Sequence, residues 1–357
     1  MRIAIVTDAW RPQTNGVVHT LSTTAERLTA LDHEVTLIEP NQFRTVPCPT
    51  YPEIRLALFP YAKVHTMLAA CAPDAVHIAT EGPLGMAARR WCSRERMPFT
   101  TSYHTQFPEY VRARAPIPLS WSYAHMRRFH STAARTMVAT PTMQRHLESR
   151  GFRNLVRWTR GVNVELFKPA PKSFLDLPRP IFMNVGRVAV EKNIDAFLQL
   201  DLPGTKVIVG DGPERGRLQS QYPAAVFTGF KYGAELAAYV AAADVFVFPS
   251  LTDTFGLVLL EAMSCAVPVA AFPVTGPIDI VQNGVTGVLN QDLRVAALVA
   301  LELDPAACRS YALQHTWDAA TQQFLGNLAP RGEVSAAPAA PPRAPARSSR
   351  ERAATPQ

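Results

Sequence analysis

Three short stretches put chemistry-bearing residues directly beside apolar runs. In NVGRVAVEKN (184–193), Arg187 and Lys192 straddle a turn behind a glycine. A guanidinium can clamp a diphosphate through two parallel hydrogen bonds, and an ammonium adds a compact charge. Arg and Lys in loops are ordinarily just solvated; their place at the end of the apolar run PIFMNV favours anion binding here. In LTDTFGLVLLEAM (251–263), Asp253 stands ahead of an apolar segment and Glu261 stands inside it. Phe255 and Gly256 open a helix whose first amides lack intrahelical partners and attract an anion. Glu261 lies four residues past Leu257 on the same helical face, within reach of a group beside that anion. An unpaired buried carboxylate is costly. Ligand hydroxyls donating to it would remove much of that penalty, and a core Lys or Arg is the plainer alternative. In PQTNGVV (12–18), Gly16 starts a helix and leaves room for backbone amides to approach an anion. That stretch lacks the GxGxxG pattern of dinucleotide sites, and an ordinary turn is its plain alternative.

These stretches need a scaffold that gathers them. MRIAIV, HEVTLIE, AVHIA, FTTSYH and TMVAT read as strands in the first half, and PIFMNVG, TKVIVG, AVFTG, DVFVFPS and PVAAF in the second. Between them VVHTLSTTAERLTAL, PLGMAARRWCSRE, ELAAYVAAA and LVLLEAM carry helical spacing. Apolar strands alternating with helices build parallel sheets covered on both faces. The two sets read as two Rossmann-like α/β domains, 1–166 and 172–311. The boundary falls in FKPAPKSFLDLPRP (167–180), where four prolines occur in 14 residues. A helix within 312–328 follows the last strand signal and is expected to pack back on the first domain. Ligands of such sheets bind outside the carboxyl ends of the strands, here in the cleft between the domains.

Composition narrows the function classes. A chain of 357 residues with 47% hydrophobic content can build two cores. Cys48, Cys71, Cys92, Cys265 and Cys308 form no CxxC pair, which argues against a zinc site or a disulfide framework and suits a reducing compartment. The apolar start Ile3–Val6 is too short for a signal-peptide core. No window of about 18 residues is free of charge and proline, so no transmembrane helix is expected. From Pro330 the chain is Pro/Ala/Arg-rich and reads as a disordered tail, 330–357. Its five Arg and two Glu supply +3 of the net +7, leaving +4 on the folded part. That excess is compatible with anionic lipid or a phosphorylated ligand. No basic run or RNP-like signature points to nucleic acid.

Asp253 and Glu261, separated by seven residues that include Phe255-Gly256, resemble the E-x7-E signature of retaining glycosyltransferases of family 4, which have the GT-B fold. GRVAVEKN (186–193) resembles their GRLxxEKN loop and TNGVV (14–18) their first-domain glycine loop. GDGP (210–213) resembles their short turn, and TSYHTQFPEY (101–110) their histidine strand end. The motifs run in order over roughly residues 1–328. Asp253 departs from the usual first glutamate, which shortens its reach by one methylene, and Ala266 replaces the glycine of SCGVP. The resemblance implies that Glu261 binds the ribose of a nucleotide-sugar. It implies that Arg187 and Lys192 neutralise the departing diphosphate, with Gly16 supplying backbone room. Amides near Phe255, Gly256 and Leu257, with Asp253, would hold the sugar. His104 would lie beside the anomeric centre; by residue type alone it reads as a structural histidine. Charge stabilisation of the leaving group is the main catalytic term, no protein nucleophile is needed, and no cofactor or DXD-bound metal is expected.

The acceptor is expected in the first domain, with Thr105 and Tyr110 as candidate contacts. Residues 112–130 mix Trp121, Tyr123, Met126 and Phe129 with Arg112, Arg114, Arg127 and Arg128. Aromatics beside arginines suit an anionic membrane interface, with Trp121, Arg127 and Arg128 as contacts; a core-facing helix with a solvated basic face is the alternative. TSYHTQFPEY, TDTFGLV and FPVTGP resemble diacylglycerol glycosyltransferases (sulfoquinovosyl, glucosyl or glucuronosyl) and GDP-mannose-dependent mannosyltransferases. The expectation is therefore a cytoplasmic enzyme on the inner face of the membrane, transferring a hexosyl or hexuronosyl group from a UDP-sugar to diacylglycerol. Transfer from GDP-mannose is the alternative. A nucleotide-sugar 2-epimerase and a catalytically lost nucleotide-sugar sensor are the rival classes.

Overall fold

A computed structural model of the chain describes residues 1–13, 15–48, 51–114 and 117–332. The tail expected over 330–357 lies outside the described residues beyond Gly332. Strands β1 (Arg2–Val6), β2 (Glu34–Ile38), β5 (Ala75–Ile78), β6 (Phe99–Tyr103), β7 (Arg135–Val138) and β8 (Leu155–Arg157) form one sheet; β3 (Thr45–Cys48) and β4 (Tyr51–Ala57) form a separate antiparallel ribbon. A second sheet contains β9 (Ile181–Val185), β10 (Thr205–Val209), β11 (Val226–Gly229), β12 (Val245–Phe248), β13 (Val269–Ala271) and β14 (Gly287–Leu289). Their orders are β2-β1-β5-β6-β7-β8 and β11-β10-β9-β12-β13-β14. Neighbouring strands within each six-stranded sheet pair in parallel.

Each order reverses once, between β1 and β5 and between β9 and β12. At such a switch the two connections leave on opposite faces and open a crevice at the strands' carboxyl ends. The loop carrying Arg187 and Lys192 follows β9, and the loop carrying Asp253 follows β12, so both border one crevice.

Strand β12, VFVF, shows why its loop is firmly placed. Phe246 and Phe248 join one core with Leu259, Leu260 and Met263 of the helix Leu257–Ser264. Val245 and Val247 join the core on the opposite face with Phe182, Phe197 and Leu293. A period of two thus splits a fully buried strand between two layers.

After the helix Pro305–Ala312 the chain returns to the first domain. Arg309 of that helix donates to the carbonyls of Phe167 (2.8 Å), Ser264 (2.8 Å) and Val164 (3.1 Å), tying the inter-domain segment to the second core. The helix Trp317–Asn327 buries Phe324 against Trp158, with ring centroids 4.8 Å apart, in a cluster with Ile3 and Ile5. Gly161 permits this crossing: a Cβ there would lie 2.3 Å from the Trp317 amide nitrogen.

Candidate active site

The β9 loop is built by glycine. The amide of Gly186 donates to Val209 O (3.0 Å) and that of Val188 to Asp211 O (2.9 Å). A Cβ on Gly210 would sit 1.8 Å from Gly186 O, and one on Gly212 would sit 2.3 Å from Val188 O. The GDGP turn therefore packs backbone to backbone against the loop that carries Arg187. The short 3-10 segment Val190–Lys192 ends at Asn193, whose φ of 53° is left-handed and whose Nδ2 donates to Pro249 O (3.1 Å).

Lys192 Nζ donates to both carboxylate oxygens of Asp253, at 2.7 and 2.9 Å. Asp253, expected to face a sugar, is thus held against the lysine of the neighbouring loop. Arg187 is half-buried, its Nη1 is 4.0 Å from Glu191 Oε1, and burial lowers its pKa. Gly256 precedes the helix Leu257–Ser264 at a left-handed φ of 86°, and no side chain caps that helix. The neighbouring Phe255 is buried in the second core. Glu261, one turn inside, has no side-chain hydrogen bond or ion pair among the described residues. Desolvation pushes its pKa up to about 7. Of the two ways out for a buried acid, a core cation is not the one taken here.

The first domain meets this loop directly. Thr254 Oγ1 donates to the carbonyl of His104 (2.7 Å), and Gln106 Nε2 donates to the carbonyl of Thr252 (3.2 Å). A Cβ on Gly16 would be 3.5 Å from Leu257 Cδ1, so the glycine start of the first helix, Gly16–Ala30, faces the start of the other across the cleft. The Asn15 side chain already accepts from the amides of Val17 and Val18. Behind His104 stands Arg160, 4% exposed, whose Nη2 reaches His104 Nδ1 at 3.1 Å.

Gln106, Thr254 and Arg160 carried no sequence signal of their own. They lie in segments without periodicity, and only the folded contacts reveal them. Thr105 is half-buried beside His104; the side chain of Tyr110 lies outside the described residues. On the helix Leu119–His130, Trp121 is 73% exposed, and Arg127 and Arg128 are exposed. Tyr123, Met126 and Phe129, read from sequence as part of an aromatic membrane surface, are buried instead. Their spacing of three makes them the inward stripe of this helix. Arg127 also donates to the carbonyl of Arg150 (2.8 Å). Among the described residues no helix is long and apolar enough to cross a membrane.

Residues 14–166 match the family described as Glycosyltransferase Family 4, and residues 179–301 match that described as Glycosyl transferases group 1. A relative from Mycobacterium tuberculosis (strain CDC 1551 / Oshkosh), named GDP-mannose-dependent alpha-mannosyltransferase, is 32% identical over 315 residues, 81% of this chain and 83% of the relative. One from Acholeplasma laidlawii, named alpha-monoglucosyldiacylglycerol synthase, is 27% identical over 325 residues, 75% of this chain and 79% of the relative. The solved structure of Anabaena Alr3699/HepE in complex with UDP-glucose superposes with a TM-score of 0.69 at 16% identity, covering 91% of this chain and 98% of that one. With its two parallel α/β domains and the cleft between them, the chain belongs to the family 4, group 1 glycosyltransferases and has their GT-B fold.

Proposed function

We propose that this glycosyltransferase moves a hexosyl group, with retention of anomeric configuration, from a nucleoside diphosphate sugar to a lipid acceptor at an anionic membrane surface. The observation that carries the donor half is a desolvated Glu261, without a partner among the described residues, on the helix after the β12 loop, while Arg187 and Lys192 stand on the β9 loop that borders the same crevice. An acid with a pKa of about 7 and no donor among the described residues is matched to ribose hydroxyls, which donate to it. Arg187 and Lys192 then meet the negative charge that grows on the diphosphate as the bond from C1 to the leaving oxygen breaks. The acceptor oxygen forms its bond to C1 on the same face, and its proton passes to the departing phosphate. No side chain has to become covalently attached, and no resident metal is needed, because fixed cations already oppose the leaving charge.

Mannosyl transfer from GDP-mannose is the first donor to test, supported by the name and 32% identity of the mycobacterial relative. Glucosyl or hexuronosyl transfer from a UDP-sugar to diacylglycerol is the second reading, favoured by the Acholeplasma relative. Exposed Trp121, Arg127 and Arg128 on one short helix support a membrane-facing acceptor side.

The test is a panel of radiolabelled GDP-mannose, UDP-glucose and UDP-glucuronate, each offered with diacylglycerol in anionic vesicles and read by thin-layer chromatography of the lipid extract. One donor should label a lipid product with the donor's anomeric configuration. Transfer only to water-soluble acceptors, with no vesicle binding, removes the lipid half. Formation of an epimer from donor alone replaces transferase chemistry with the epimerase reading.

A further inference from the structure

Among the described residues, Arg160 is a cation buried without a carboxylate partner. Its guanidinium donates from Nη1 to the carbonyls of Trp158 (2.6 Å) and Thr159 (2.9 Å), and its carbon lies 4.2 Å from the centre of the Trp158 ring. Its remaining described partner is His104 Nδ1, at 3.1 Å. A guanidinium has donors and no acceptor, so Nδ1 must be the accepting nitrogen, without a proton of its own. The ring proton of the neutral imidazole then sits on Nε2. That atom is buried and has no hydrogen-bond partner among the described residues. A buried N–H without an acceptor is costly, and in a cleft it marks a place for a ligand oxygen.

We propose that Arg160 is a positioning residue: it locks His104 as a neutral imidazole with its proton on Nε2, so that His104 serves the reaction as a hydrogen-bond donor and not as a base. The acceptor is an oxygen of the donor's sugar or of its departing phosphate. The carbonyl bond to Thr254 holds the same residue from the other lobe, which orients the ring relative to the helix bearing Glu261.

The surroundings agree. Burial is the first cause lowering the His104 pKa well below the ordinary value, and the charge of Arg160 is the second. His77 on β5 also faces it; that ring is buried, with Nδ1 2.9 Å from Thr100 Oγ1 and Nε2 3.2 Å from Ser102 Oγ. On the opposite loop the acid, Asp253, is taken up by Lys192. Arg160 keeps its proton at neutral pH, since burial brings its pKa down only to about 9.

The test has two arms. The first is the imidazole 15N spectrum of the whole protein, with His104 assigned by its loss in His104→Gln. It should show neutral imidazole with the proton on Nε2 from pH 5.5 to 8, and a proton on Nδ1, or a protonated ring, overturns the proposal. The second compares Arg160→Met with Arg160→Lys, both checked for folding and for nucleoside diphosphate binding. Met should lower kcat about tenfold to a hundredfold with donor KM changed far less, and should raise the pH at which His104 titrates while burial still holds it below its ordinary value. Lys, which keeps one donor and the charge, should restore much of kcat. An Arg160→Met enzyme with unchanged spectrum and kcat overturns the proposal too. Should Met fail to fold, the wild-type spectrum decides alone. The kinetic arm rests on the transfer reaction proposed above and the spectral arm does not, so failure of the two can be told apart.

Discussion

The two lobes bring charge to the cleft in different ways. On the C-terminal side two cations stand against half-buried acids, Lys192 on Asp253 and Arg187 near Glu191, while the desolvated Glu261 has no partner among the described residues. On the N-terminal side a cation, Arg160, lies almost fully buried with hydrogen bonds to neutral groups, and the residue it holds, His104, is kept uncharged. The first arrangement can be re-partnered by a ligand at small cost, because half-buried ion pairs are weak and exchange readily. The second cannot shift without leaving a buried charge short of its acceptors, so it fixes geometry. One lobe is built to respond to an anion, and the other to present a fixed ring.

The sharpest way to break that contrast is Lys192→Ala. If the responsive lobe stabilises the leaving diphosphate, kcat should fall about a hundredfold to a thousandfold while circular dichroism and melting stay close to wild type. Near-normal turnover would remove the role. Glu261→Gln should come next, with donor affinity weakened about tenfold to a hundredfold in calorimetric titration, since a charged acceptor is lost. The same variant carries a stability signature. The folded pKa of about 7 lies above the ordinary 4.5, so between those values the native protein holds a proton that the unfolded chain has released. The stability present below pH 4.5 is lost as pH rises through 7, and Gln should melt a few degrees above wild type at pH 8 but not at pH 5. Equal melting at both pH values would show that Glu261 finds a partner in solution.

Asp253→Asn sharpens the comparison further. It leaves Lys192 its charge but weakens its clamp, and kcat/KM should drop roughly tenfold, the size of one charged hydrogen bond. Asp253→Glu should stay closer to wild type, since it keeps the pair with one extra methylene. The smallest effect is expected from Trp121→Ala, a reduction of a few-fold in binding to anionic vesicles by flotation, with turnover on a detergent-dispersed acceptor unchanged.

Much of this was legible in the residues. The ten strands named from apolar runs all form, because continuous Val, Ile and Phe segments between helical periods have few alternatives. Strands β8 and β14 and the β3–β4 ribbon escaped notice: LVR and GVL contain too few apolar residues to register as a run, and Pro47 and Pro52 interrupt TVPC and YPEIRLA. The inward role of Tyr123, Met126 and Phe129 was present in their spacing, yet the neighbouring arginines suggested a surface. Asp253 was expected to face the donor's sugar; its partner in the folded chain, Lys192, lies 61 residues away and could not be read locally.

What the sequence by itself determined is the alternation of strand and helix, the glycine turns and the charged loops behind them, because period, backbone freedom and residue chemistry act over a few neighbouring positions. What only the tertiary structure decided is who faces whom: Lys192 on Asp253, Glu261 without a partner among the described residues, and Arg160 behind His104. Those pairings depend on desolvation and distance between segments far apart in the chain, and neither quantity exists until both sheets have formed.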